Sequence, residues 1–214
     1  MHVRLVQLCK TVVLDRVTLF DMGNREALLD GAKRCLIEKG YSKTTARDVA
    51  DAAGVSLAAI GYHFGSKESL LEQAFMAAME DWFDEDAMED RHEELEGGSL
   101  ERFEAFFGEV IASFPRQSAL MRLNIEMGLE STHNPSLSTF MSHAVQLGRE
   151  GLVEALAGLD QERDGEIAQQ VGAFYSVLMT GLVAQYLMDR ERFPSAADLT
   201  AGLRYITEKA AGKG

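Results

Sequence analysis

The feature that most constrains the fold is a run of helix start and stop signals within residues 44–71. Thr45 and Asp48 stand three residues apart, which is the spacing of a capping box at the start of a helix. Gly54 supplies a left-handed stop only two turns later. A second cap and stop, and then a third cap, follow at Ser56, Gly65 and Ser66. Short helices joined by so little chain must cross at steep angles, which predicts a helix-turn-helix.

The second helix of such a motif lies in the major groove of DNA, so short side chains near its start favour close approach. The residues at this place are Ser56, Leu57, Ala58 and Ala59. Hydroxyl groups at helix starts can also grip phosphate, which makes Thr44, Thr45 and Ser56 candidate contacts to the DNA backbone.

Charge is divided unevenly along the chain. A formal net charge of -13 speaks against a nucleic-acid binder, because affinity for phosphate comes from Lys and Arg. Residues 1–70, however, hold ten basic and eight acidic groups, a net of +2, which leaves -15 for the rest. Phosphate contact is therefore expected only at the N-terminal end.

The run TTARDVADAAGVSLAAIGYHFGSKESLL, residues 44–71, resembles the DNA-binding signature of the TetR family of transcriptional regulators. A threonine-led helix, an Ala-Gly-Val-Ser turn, a Tyr-His-Phe close and a Lys-Glu start to the fourth helix occur in the family's order and spacing. The resemblance implies contacts to the DNA backbone or bases by Thr45, Arg47, Ser56, Leu57, Ala58, Gly61, Tyr62, His63 and Lys67.

Within that set, Gly61 stands where many family members carry a larger side chain, so part of the base readout there is absent or comes from backbone and shape. Lys67 lies in the first turn of a helix, where the helix dipole favours an anion. A lysine there does not stabilise the helix, so its position favours a contact with a DNA phosphate. Phe64 is expected in the core. His63 taken alone is more typical of a structural histidine than of a DNA contact.

Helical periodicity predicts an all-α chain with about nine helices counted from Asn24, which is placed to cap the first, residues 25–39. We expect a helix to end near Pro115 and another to open at Asn134-Pro135. Three parts are predicted: an extension at 1–22, a helix-turn-helix DNA-binding domain at 23–71, and an effector-binding and dimerisation domain at 72–214. The extension is either flexible or a misassigned start, with Met22 as the true initiator.

The resemblance implies a homodimer formed by the last two helices, residues 165–189 and 196–210, on a palindromic operator. The small residues Gly172, Ala173, Ser176, Gly181 and Ala184 would let helices approach there, although a crowded core within one chain explains them equally well. A small, mostly apolar effector is expected near Phe83, Phe103, Phe107, Met121, Asn124, Met127, Phe140, His143 and Phe174. The same apolar spacing also fits an ordinary core.

The sequence gives little support to other classes of protein. Cys9 and Cys35 have no metal or redox spacing and are typical of a reduced cytoplasmic protein. No catalytic, metal or cofactor motif and no uninterrupted apolar run of about 20 residues is present, so we expect neither an enzyme nor a membrane protein. The prediction is a repressor released from DNA by its effector. The alternative is an adaptor that keeps the fold and binds a protein.

Overall fold

The structure, a computed structural model, describes residues 19–85, 99–159 and 161–212. Helices are the only regular elements in these ranges, which confirms the all-α prediction. They are α1 (Leu19–Lys39), α2 (Ala46–Ala53), α3 (Ala58–Phe64), α4 (Lys67–Glu85), α5 (Leu100–Glu130), α6 (Pro135–Ala157), α7 (Gln161–Met188) and α8 (Ala196–Ala210).

Two predicted boundaries are wrong, and the described residues hold eight helices where nine were counted. Helix α1 begins at Leu19, so Asn24 lies inside it and is not its cap. Helix α5 continues through Pro115. Proline costs a helix one hydrogen bond, but Phe114 and Leu120 on either side of it are both buried in one core, and this shared packing keeps the two halves as one helix.

Several predicted features fall where the structure gives no description. Residues 1–18 of the predicted extension, with Cys9, lie outside the described residues. Residues 86–98, which are rich in Asp and Glu and end in two glycines, also lie outside the described residues.

The first three helices pack against one another and against α4. Val49 and Ala50 of α2 are buried there, as are Ile60 and Phe64 of α3, all within one core that continues into the rest of the chain. The prediction that Phe64 lies in the core is confirmed.

Helix α4 lies along α1, where Lys33 and Asp81 form an ion pair of 2.7 Å. Gln73, nearer the start of α4, accepts a hydrogen bond of 2.9 Å from Arg25 of α1. Helix α4 is therefore held against α1 along most of its length, and its end also reaches the second half of the chain.

The second half is a bundle of α5–α8 on which the end of α4 rests. The indole Nε1 of Trp82 donates a buried hydrogen bond of 2.9 Å to Ser113 Oγ on α5. Phe114 packs edge-on against Tyr186 of α7, with ring centroids 5.2 Å apart. Phe193 closes the same cluster 5.4 Å from Tyr186. Helix α4 is thus the mechanical link between the two halves.

Gly172 serves a contact within one chain. A β-carbon there would lie 2.8 Å from Val153 Cγ2 and 3.2 Å from the carbonyl oxygen of Arg149, both on α6. The close approach of α6 and α7 therefore requires glycine, which favours the intrachain explanation at this position. Gly181, by contrast, is exposed and has open space around it.

Among the described helices, the segment Arg163–Met188 has the length and composition to cross a membrane, and 22% of its most apolar window is buried. Buried core helices of other proteins pass the same test, so the finding carries little weight by itself.

Candidate nucleic-acid interface

The start of α2 is held by the predicted capping box. The Thr45 hydroxyl accepts a hydrogen bond from the Asp48 N–H at 3.2 Å, and Asp48 Oδ2 accepts one from the Thr45 N–H at 2.9 Å. Lys39 of α1 donates to Asp48 Oδ1 at 2.6 Å. The Lys39 and Thr45 hydrogen bonds hold the pKa of Asp48 well below its usual range. The carboxylate thus fixes α2 to the end of α1.

Gly54 ends α2 as predicted, in the left-handed conformation with φ +68°. Its N–H donates to the carbonyls of Ala50 and Asp51, and α3 begins at Ala58 after a four-residue turn. The predicted cap by Ser56 is wrong, since Leu57 occupies the cap position and no side chain bonds to the helix start. Ser66 does cap α4, accepting from the Ser69 N–H at 3.0 Å.

Helix α3 turns one face outward. Leu57 is 50% exposed and Tyr62 is 75% exposed, and Ala58 and Gly61 between them are also exposed. A β-carbon at Gly61 would find open space. Ile60 and Phe64 fill the opposite face, so the outward side chains are free of any core role. Of the predicted groove residues, Ala59 alone is half-buried and packs against the core.

One predicted phosphate contact does not fit the structure. Thr44 is 1% exposed, and its hydroxyl donates to the carbonyl oxygen of Gly40 at 2.6 Å and lies 3.2 Å from that of Cys35. Both carbonyls belong to the end of α1, so the Thr44 side chain stabilises the α1–α2 turn and is not available to DNA. Thr45 next to it is exposed.

The cations around α2 and α3 differ in their surroundings. Arg47 is exposed, and no ion pair involving it occurs among the described residues. Lys67 lies 3.4 Å from Glu68 Oε1, which offsets part of its conflict with the helix dipole. His63 is half-buried, 4.8 Å from the Tyr62 ring. Lys43, which was not among the predicted contacts, is exposed just before α2, and a basic residue directly preceding two threonines was the available signal.

The helix-turn-helix also contacts the second half of the chain through α5. Glu126 Oε1 accepts a hydrogen bond of 3.0 Å from the Ser42 backbone N–H, and its carboxyl group lies against Gly40. In the same turn, burial first and then the acidic Glu72 raise the pKa of Tyr41 to about 12, so its phenol stays neutral. The Glu126 contact joins residues 84 apart in sequence, and no sequence pattern indicates it.

The residues predicted to lie near the effector differ in their burial. Four of them are buried in the continuous core: Phe103, Phe107, Met121 and Met127. Asn124 and Phe140 are half-buried, and His143, Phe83 and Phe174 are exposed to a third or more. Two grooves in the described part of the chain, of about 580 Å³ between α5 and α8 and about 360 Å³ between α1, α4 and α5, are lined by none of these nine residues.

Large apolar side chains are exposed on the last two helices. The set on α7 is Ile167, Phe174, Val177 and Met188, and that on α8 is Tyr205 and Ile206. Phe174 is 51% exposed and Val177 is 69% exposed. Large apolar side chains left exposed on a helix are typical of a surface that another protein covers.

Two family descriptions match the chain. Residues 28–74 match "Bacterial regulatory proteins, tetR family", and residues 99–210, more than half of the chain, match "BetI-type transcriptional repressor, C-terminal". Among curated proteins, the chain is similar to the HTH-type transcriptional repressor KstR2 of Rhodococcus jostii (strain RHA1), 41% identical over 61 residues. That match covers 28% of this chain and 30% of the relative. The similarity to such curated relatives therefore spans only about a third of their length.

Solved structures share the fold over most of the chain. A transcriptional regulator from Streptomyces coelicolor A3(2) is 22% identical with a TM-score of 0.62, over 86% of this chain and 98% of that one. The multidrug binding protein EbrR, complexed with imidazole, is 18% identical with a TM-score of 0.63, over 84% and 94%. These relatives give no support to the adaptor alternative.

Proposed function

This chain belongs to the tetR family of bacterial regulatory proteins, and from that premise we propose that it is a ligand-responsive transcriptional repressor that binds a palindromic operator as a homodimer. The observation that carries the proposal is the outward face of α3, which includes the half-exposed Leu57 and the Tyr62 side chain and contributes nothing to the core. Residues 23–71 would be the DNA-binding domain and residues 72–214 the effector-binding and dimerisation domain, both in the cytoplasm.

In this proposal α3 enters the major groove and its neighbours hold the DNA backbone. Ser56, Leu57, Ala58 and Gly61 face the bases. Arg47 and Lys67 neutralise phosphates, with Thr45, Tyr62 and His63 beside them and Lys43 added from the structure. These contacts lie at one end of the molecule, which agrees with the net +2 charge of residues 1–70 against -15 elsewhere.

The exposed apolar side chains of α7 and α8 would be the dimer interface. On α7 these side chains leave apolar area open to water, and a second copy of the same surface would cover it without any other partner. The dimer would hold its two α3 helices about 34–36 Å apart, the distance between successive major grooves on one side of the duplex. Affinity for DNA would depend on that distance.

The effector would enter the α5–α8 bundle. Phe103, Phe107, Met121 and Met127 form a core of deformable side chains, which suits a small, mostly apolar molecule. The structural neighbour EbrR is named a multidrug binding protein, and the shared fold is consistent with an organic effector for this chain as well. Asn124 and His143 would be polar groups that orient it.

Two connections would carry the effector's influence to the DNA. Helix α4 is anchored on α5 by the Trp82–Ser113 hydrogen bond and on α1 by the Lys33–Asp81 ion pair. Glu126 of α5 forms the second connection, directly to the α1–α2 turn. The effector shifts DNA affinity only if it binds one arrangement of these helices more tightly than the other.

The test is selection of bound duplexes from a random DNA pool by the full-length protein at two salt concentrations. We expect a palindrome whose recovery falls as salt rises, because phosphate contacts release counterions. The Arg47→Ala variant removes one proposed phosphate contact and no base contact, so it should recover the same palindrome more weakly. Absence of enrichment at both salt concentrations, with the protein folded, would contradict the proposed function.

A further inference from the structure

The outward face of α3 carries no group that pairs specifically with guanine, adenine or cytosine. Its exposed members are Leu57, Ala58 and Gly61, with hydroxyl groups supplied by Ser56 and Tyr62. Guanine is read by Arg or Lys, adenine by Asn or Gln and cytosine by Asp or Glu, whereas the C5-methyl group of thymine is read by apolar contact. Hydroxyl groups accept several partners and discriminate weakly between bases.

We propose that this protein reads its operator chiefly through thymine methyl groups, contacted by Leu57 and Ala58. The inference rests on the proposed function and names the kind of sequence that the operator contains. Gly61 adds no side chain to this readout, so the base pair beneath it is discriminated least.

The surroundings of Leu57 support this assignment. A leucine that is 50% exposed contributes little to the core, while Ile60 and Phe64, one and two turns further on, are buried and hold the helix in place. The cations that could read guanine lie off this face, with Arg47 on α2 and Lys67 on α4. The apolar face of α3 is therefore what remains to meet the base edges.

The size of the effect follows from the burial of one methyl group. A buried methyl or methylene group is worth about fourfold in affinity, and because a symmetric dimer reads each position twice, removing both copies weakens binding by about fifteenfold. The effect should be confined to the few base pairs that Leu57 and Ala58 cover.

The experiment replaces thymine by deoxyuridine, one symmetric pair at a time, in the palindrome recovered from the random pool. Binding of the full-length protein is measured at each position for the native chain and for Leu57→Ala. We expect about fifteenfold weaker binding at one or two symmetric positions for the native chain, and almost no deoxyuridine effect at the Leu57 position for Leu57→Ala. Tyr62→Phe, which keeps the apolar face but removes the hydroxyl of a proposed backbone contact, should lower the affinity for both duplexes and preserve the ratio between them.

A gain-of-function variant gives independent support. Gly61→Asn places an amide where the structure leaves open space, so the variant should fold and acquire a preference for adenine at one added position. A recovered palindrome that binds equally well with deoxyuridine throughout, or that has G·C pairs at every contacted position, would overturn the thymine readout while leaving the repressor function standing. Failure to recover any palindrome would overturn both.

Discussion

Replacing Phe174 by alanine should weaken the dimer without unfolding the monomer. Phe174 lies on α7 with about half of its surface exposed, and its ring packs only partly, 5.6 Å from the ring of Tyr175. In the proposed homodimer that exposed half is covered by the second copy, and by symmetry each dimer buries two such rings.

The magnitude follows from the exposed area. A phenylalanine side chain can bury about 150–250 Å², so the exposed half of Phe174 is on the order of 100 Å². At about 25 cal/mol per Å² this is roughly 2.5 kcal/mol per ring and about 5 kcal/mol per dimer, an upper limit because alanine retains some contact. We therefore expect the dissociation constant of the dimer to rise by roughly a hundredfold, with an upper limit of about 4,000-fold if the whole 5 kcal/mol is lost.

Sedimentation equilibrium over a range of protein concentrations measures this constant directly. Leu129→Ala is the matched control, because Leu129 is 67% exposed but lies at the end of α5, off the α7–α8 surface, and its truncation should leave the dimer unchanged. Circular dichroism confirms that both variants fold. An unchanged dissociation constant for Phe174→Ala would show that this surface is not the interface.

Four further predictions test the DNA-binding half. Arg47→Ala should lower the slope of log affinity against log salt by about 0.9 for each phosphate that is no longer neutralised, or about 2 for the dimer, measured by titration of the selected operator; an unchanged slope removes Arg47 from the interface. Thr44→Val should lower the free energy of unfolding by about 1 kcal/mol, because it removes the hydroxyl that donates to the Gly40 carbonyl, yet keep the salt slope; a change in slope would restore Thr44 as a contact. Glu126→Ala should speed hydrogen exchange of the Ser42 amide, followed by NMR, with Glu126→Gln intermediate; equal exchange in all three proteins would deny the link. Since the folded-state pKa of Asp48 is depressed, its stabilising contribution is present above about pH 4 and lost as pH falls further; thermal unfolding of Asp48→Asn should show a weaker dependence on pH in the acid range than that of the native chain.

The helix-turn-helix was predictable because its determinants are local. Thr45 and Asp48 form a capping box at fixed spacing, and Gly54 adopts the conformation that glycine favours, whatever the rest of the chain does. The buried positions of α1 and α2 follow from helical periodicity in the same way. These features act over a few residues, so sequence is sufficient to find them.

Local signals failed where packing outweighs them. Pro115 is a helix breaker by its own chemistry, yet α5 continues through it because Phe114 and Leu120 share one core. Thr44 looks like Thr45 in sequence, but one hydroxyl is buried against the end of α1 and the other is exposed. Propensity is a weak preference that the burial of large side chains can exceed.

The sequence by itself determined the fold class, the helix-turn-helix and the face of α3 that points outward, since each depends on residues within a few turns of one another. Only the tertiary structure decided which apolar residues are core and which are surface, that Glu126 bonds to Ser42 across 84 residues, and that Gly172 serves a contact between α6 and α7. These outcomes depend on which helices lie side by side, and that choice is made by the burial of the whole apolar surface at once rather than by any one segment.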